Sequence, residues 1–162
     1  MSVDPKVTPC LWFDNEGEEV AEFYTSVFPN SSIDYVNRST IEWPGGKVGD
    51  ALLIEFSLAG QPYQALNGGP QEPFNDRISL SVSCKDQEEV DYFWDALTSD
   101  GGEPVMCGWL KDKFGVRWQI VPEPLERMLR DQDSEKVRRA MEAMLQMVKL
   151  DLAELEQAFE GT

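Results

Sequence analysis

The chain has 162 residues, enough for one domain with a substantial core or for two small modules sharing one. Thirty acidic residues against fourteen basic ones leave a formal charge of −16. That field has the wrong sign for a nucleic-acid backbone or an anionic membrane surface; it suits a cationic ligand, or simply solubility.

There is no histidine. The usual general base near neutral pH and the commonest transition-metal ligand are therefore missing, and chemistry falls to carboxylates, thiols, amides, Lys, Arg or a bound cofactor. No apolar run approaches the ~20 residues of a membrane helix. "MSVDPKVTPC" lacks the basic and apolar regions of a signal peptide, so a cytoplasmic protein is expected. Cys10, Cys84 and Cys107 are widely spaced and form no CxxC, which indicates reduced thiols and neither a disulfide framework nor a zinc knuckle.

In chain order, "VTPCLWF" alternates as a strand, with Leu11 and Phe13 inward and Thr8, Cys10 and Trp12 on the other face. "EEVAEFY" at 18–24 follows, with Val20, Phe23 and Tyr24 on one helical face and Asp14 or Asn15 placed to cap it. Strands are then expected in "IDYVNRS", "VGDALLIEFSLA" and "QPYQALN", with "EWPGG" looping between the first two. The Gly/Pro-rich "NGGPQEPFND" at 67–76 reads as a linker.

The pattern then repeats. "RISLSVSC" is a strand, with Ile78, Leu80, Val82 and Cys84 facing the core and Ser79, Ser81 and Ser83 facing away. "EEVDYFW" at 88–94 echoes the first helix, and Asp86 can cap it. "EPVMCGWL", a "KDKFGV" hairpin and "RWQIVP" complete the second copy, with Lys111, Asp112 and Lys113 read as a solvated turn. "GQPYQ" and "GVRWQ" share Gly-x-x-aromatic-Gln at the end of each copy.

The remainder is helical. Val137, Met141, Met144, Leu145 and Val148 form a stripe at helical spacing, expected in core or dimer packing. Asp151 and Glu154 form a capping box for a last helix over Leu152, Leu155 and Phe159. The expected organisation is a domain over 1–122, with module one at 4–69 and module two at 75–122, and a helical extension over 123–162. The fold class is α+β, with two strand–helix–strand–strand–strand modules forming mixed sheets.

"TPCLWFD", "EFYTSVFPNS", "ALNGGP", "ISLSV", "VDYFWDAL" and above all "GWLKDKFGVRWQIVP" carry a resemblance over nearly the whole chain. The chain resembles the vicinal oxygen chelate superfamily of glyoxalases, bleomycin-resistance proteins and extradiol dioxygenases. Its wording is closest to the PhnB-like branch labelled 3-demethylubiquinone-9 3-methyltransferase, and the tail resembles an extension found in many members. Curved paired sheets around a cleft with a divalent metal are what the resemblance implies. Its ligand positions fall on Thr8, Gln64, Ser79 and Gln119.

All four are uncharged, and four neutral oxygen donors make a poor divalent site. No metal and no cofactor are expected. The glutamines fit better as hydrogen-bonding groups on a pocket wall, or as partners satisfying each other. Around them Trp12 and Trp109 can stack on a planar ligand or simply pack. Ser81 shares the face of Ser79; Arg117 shares that of Gln119 and can pair with an anionic group or with a carboxylate of this acidic chain. Cys10 and Cys107 are thiols without a visible activating base.

The expected function is small-molecule binding in a cleft without a standard metal site, in a homodimer. An enzyme with a lost or substrate-recruited metal stays open, as does the methyl transfer named by the family label. For the latter, a glycine-rich turn between a first strand and helix is missing. Fold does not settle activity.

Overall fold

The computed structural model describes residues 5–162, so the expected start of module one at residue 4 lies outside it. The chain forms two compact units, Met1–Glu72 and Pro73–Thr162. No helix among the described residues is long and apolar enough to cross a membrane.

The first unit runs β1 (Cys10–Phe13), α1 (Gly17–Val27), β2 (Ser32–Arg38), β3 (Ala51–Leu58) and β4 (Gln61–Asn67). Its sheet has the order β1-β4-β3-β2, with β1 parallel to β4 and the other pairs antiparallel. Alternation decides the faces: Leu11, Phe13, Ile54, Phe56, Leu58 and Ala65 are buried on one side. The apolar stripe of α1, Val20, Ala21, Tyr24 and Val27, covers that side through β3 and β4, with the Tyr24 and Phe56 rings 6.4 Å apart.

The expected cap of α1 at Asp14 or Asn15 is replaced. The residue before the helix is Glu16, whose side chain caps nothing, and the cap comes from the end of β4. Asn67, 3% exposed, accepts the Gly17 N–H through Oδ1 at 2.7 Å and donates Nδ2 to the Ala51 carbonyl at 2.9 Å. Its own carbonyl accepts the Trp43 indole N–H at 2.6 Å, which ties the "EWPGG" loop to the sheet. One buried asparagine, through side chain and backbone, thus joins helix, two strands and loop.

A bulge shapes the outer edge. Ile33 pairs with Phe56 and Tyr35 with Glu55, leaving Asp34 as the extra residue of β2. The shift returns Val36 to the core side beside Ile54 and sends Tyr35 to the opposite face. Asp34 is held by the Ser32 and Ser57 hydroxyls at 2.7 and 2.6 Å.

The second unit contains β5 (Leu80–Cys84), α2 (Gln87–Thr98), β6 (Glu103–Pro104), β7 (Trp109–Lys111) and β8 (Arg117–Pro122) in the sheet order β5-β8-β7-β6. Here Asp86 caps as expected, accepting the Glu89 N–H at 3.0 Å. Val90, Phe93, Trp94 and Leu97 of α2 are buried, as are Cys84, Leu110, Trp118 and Ile120 on the sheet. The strand expected over Ile78 starts two residues later, so Ile78 lies in a turn and is 75% exposed.

The turn read as solvated is also corrected. Asp112 is 1% exposed: Oδ1 accepts the Phe114 and Val116 N–H groups at 2.9 and 3.0 Å, and Oδ2 accepts the Trp118 indole N–H at 2.8 Å. The tight return from β7 to β8 leaves three inward N–H groups, and this carboxylate takes them all.

The tail folds onto this second unit as α3 (Glu123–Leu129), α4 (Ser134–Met144) and α5 (Leu152–Glu160). Leu125, Leu150 and Leu155 form its core, packed by Val121, Met128, Leu129, Ala143, Met144 and Met147. Asp151 caps α5 by accepting the Glu154 N–H at 3.0 Å, as its spacing indicates. The stripe through Val148 does not hold as one face, because α4 ends at Met144 and helical periodicity lapses there. Met141, Leu145 and Val148 are 45%, 54% and 44% exposed. Together with Leu129 and Val137, Met141 and Leu145 line an open groove of about 480 Å³.

Candidate functional site

Each sheet keeps one face against its helix, so the other face carries whatever polar groups alternation assigns to it. On the second sheet, Ser81 pairs with Gln119 and Gln119 with Trp109, which sets these three side chains in one row. Gln119 donates Nε2–H to the Ser79 hydroxyl at 2.8 Å. Gln119, Ser79 and Trp109 are half-buried and Ser81 is exposed. The row therefore offers a hydroxyl, an amide oxygen and an indole on three successive strands, with the Ser79 hydroxyl bonded to the same amide.

Arg117 lies one row along, opposite Lys111. Its guanidinium is engaged: Nε donates to Asp76 at 2.8 Å, and Nη1 to the Gly115 and Phe74 carbonyls at 2.6 and 3.1 Å. These contacts tie the segment ahead of β5 to the start of β8. Cys107 is half-buried at positive φ, its N–H bonded to the Met147 carbonyl at 2.8 Å, where the chain turns under the tail.

On the first sheet Cys10 pairs with Gln64, which pairs in turn with Glu55, and Glu55 pairs with Tyr35. Thiol, amide, carboxylate and phenol thus form a row on the face away from α1. Thr8 sits half-buried in the segment before β1. Trp12, 40% exposed, donates its indole N–H to the Gly69 carbonyl at 2.9 Å. Its ring lies so close over Gly68 that an added Cβ there would come within 2.3 Å. Only glycine fits.

Electrostatics do not favour a thiolate. Desolvation by burial pushes the Cys10 thiol up, and Cys84 is pushed up to about 12 by burial and by the neighbouring Glu89 and Asp86 carboxylates. Nor does the donor set suit a divalent ion: Thr8, Gln64, Ser79 and Gln119 provide no anionic oxygen and no imidazole. Among the described residues, no three His, Cys, Asp or Glu side chains converge as a metal would need.

The family model of 3-demethylubiquinone-9 3-methyltransferase matches residues 5–121. The chain belongs to this family. Within it the chain is PhnB-like, as the motifs indicated. The PhnB protein from Bacillus cereus is 33% identical, with a TM-score of 0.65 over 73% of this chain and 99% of that one. Protein PA1353 from Pseudomonas aeruginosa has 18% identity and a TM-score of 0.63, covering 74% of this chain and 98% of its own. The fosfomycin resistance protein FosX from Listeria monocytogenes, complexed with Mn(II) and sulfate, has 16% identity and a TM-score of 0.52, over 77% and 98%. The last two share the fold. A search of curated proteins finds no match.

Within this family member, two residues of the first-sheet row escape a reading of the sequence. Glu55 and Tyr35 join the row of Gln64 only through strand register, and Tyr35 only through the Asp34 bulge. The available signal is the alternation of β3, where Glu55 stands between the buried Ile54 and Phe56.

Proposed function

We propose that this PhnB-like protein binds a small organic molecule on the polar faces of its sheets without a protein-held divalent metal. The observation that carries the reading is the Ser79–Gln119 hydrogen bond with Ser81 and Trp109 in the same row. It is a set of neutral donors and acceptors beside an aromatic surface, which is how proteins orient polar organic ligands. The Cys10 and Cys84 thiols are raised by burial and the chain lacks histidine, so binding is favoured over covalent catalysis. Methyl transfer, the activity in the family's name, has no support from a nucleotide-binding turn: both sheets are mixed and four-stranded, with a single parallel pair in each.

A homodimer in the cytoplasm belongs to the same proposal, with the exposed Met141, Leu145 and Val148 as an apolar surface available for it. The test is a thermal-shift screen of the purified chain against metabolites and divalent metals, with elemental analysis alongside. Stabilisation by an organic compound with substoichiometric metal supports the reading. One tightly held divalent ion per chain overturns it.

A further inference from the structure

The carboxylates of the first sheet differ in one respect. Asp34 is satisfied by two serine hydroxyls, and Glu18 at the helix start pairs with Arg38 at 2.9 Å. Glu55 is exposed on the face opposite α1, and its carboxylate has no hydrogen bond or ion pair among the described residues. Its neighbours across the sheet are Gln64 and Tyr35, about 5 Å away on either side by strand spacing. Tyr35 is 59% exposed, and no hydrogen bond fixes its phenol among the described residues.

These three groups form a set with one chemistry. A carboxylate accepts a charge-assisted hydrogen bond, the Gln64 amide oxygen accepts a second, and the phenol ring presents a π-face to positive charge. Among the described residues no cationic side chain takes the place, although Lys and Arg elsewhere pair with carboxylates. The matching position on the second sheet, beside Gln119, is Trp109 instead of a carboxylate. The two sheets therefore repeat their glutamine but differ in the charge beside it.

We propose that the Tyr35–Glu55–Gln64 row is a recognition site for a protonated amine, so that the ligand of this protein carries a primary ammonium group next to an apolar or aromatic body. The inference rests on the small-molecule reading above and names the ligand class for the first sheet. The net charge of −16 assists by raising the local concentration of such cations, while Glu55 supplies the direction.

The experiment uses three probes of one shape: benzylamine, benzyl alcohol and benzoate. Each is titrated at neutral pH into the full 15N-labelled chain while backbone amide shifts are followed. Benzylamine is expected to give saturable shifts confined to the strands around residues 10, 35, 55 and 64, with benzyl alcohol much weaker and benzoate silent. Glu55→Gln should weaken benzylamine by about tenfold or more, since it removes the charge and keeps the shape. Tyr35→Leu should weaken it less. Glu22→Gln, on the exposed side of α1, removes the same net charge and should change nothing.

Equal affinity for benzylamine and benzyl alcohol on this face, unchanged in Glu55→Gln, would leave the sheet a binding site and overturn the ammonium proposal. Equal weakening by Glu22→Gln would reduce the effect to bulk charge and overturn it too. No saturable shift on this face with any probe would overturn the ammonium proposal together with first-sheet binding; the second-sheet site is then judged by the thermal-shift screen.

Discussion

The Asn67 side-chain oxygen accepts the backbone N–H of Gly17 at 2.7 Å, fifty positions away in sequence. A helix start is normally satisfied by the residue before it; here the last strand of the module does so. The approach is close enough that a Cβ on Gly17 would meet Asn67 Oδ1 at 2.6 Å, so helix and strand end were built around each other.

Asn67→Ala orphans the Gly17 N–H and the Ala51 carbonyl in a buried setting, and should cost about 2–4 kcal/mol. Asp14→Ala and Asn15→Ala should each cost under ~0.5 kcal/mol, because neither side chain caps the helix. Urea denaturation of the three variants measures the contrast.

Asp112 should behave as architecture. In Asp112→Asn an amide nitrogen either faces the Trp118 indole N–H or displaces the acceptor for Phe114 and Val116, so donor meets donor. A loss of about 2–3 kcal/mol is expected. Trp118→Phe removes the opposing donor, so it should cost less when added to the Asp112→Asn variant than when made in the wild-type chain. A double-mutant cycle by denaturation reads the coupling.

Gln119→Ala should separate site from scaffold. The side chain is half-buried and holds one hydroxyl, so the stability loss should stay near ~1 kcal/mol. Affinity for a compound found in the thermal-shift screen should drop by about tenfold or more if the compound uses this amide. Paired melting and titration experiments decide; large destabilisation with unchanged affinity would make Gln119 a structural residue.

The cysteines should sort by environment. Cys10 is exposed and Cys84 fully buried, so iodoacetamide on the native chain should modify Cys10 and spare Cys84. With its thiol raised, Cys10 should react more slowly than a free thiol at the same pH. The folded state keeps Cys84 protonated to about 12 against an ordinary 9.0, so its contribution to stability is complete below pH 9 and lost as the pH rises towards 12. Mass spectrometry of alkylated peptides and melting temperatures across that range test both statements.

The tail should prove inseparable from the second unit. Gln87 in α2 donates to the Leu150 carbonyl at 3.1 Å and accepts the Leu152 N–H at 2.8 Å, and Lys149 pairs with Asp91 at 2.8 Å. Gly108 sits at φ +79, where an added Cβ would press on Leu150 at 2.9 Å. Gly108→Ala combines that strain with the clash and should lower stability by about 1–3 kcal/mol. Deletion of 133–162 should go further and lower solubility, since it uncovers Leu125.

The sequence alone determined the repeat, the two sheet-covering helices and the faces of the central strands; the expected strand "EPVMCGWL" is broken by a turn into β6 and β7. Apolar alternation around Ala65 and Ile120 leaves Gln64 and Gln119 only one side to occupy, and period-2 geometry is a local property of the chain. The limits lie where partners are distant. The cap at Asn67, the burial of Asp112 and the exposure of Ile78 depend on where a turn or a strand end falls in space, and local propensity carries no record of that. The placement of Glu55 between Gln64 and Tyr35 depends on register, which a single bulged residue, Asp34, resets. Sequence chose the groups that leave the core; tertiary pairing decided which of them stand side by side.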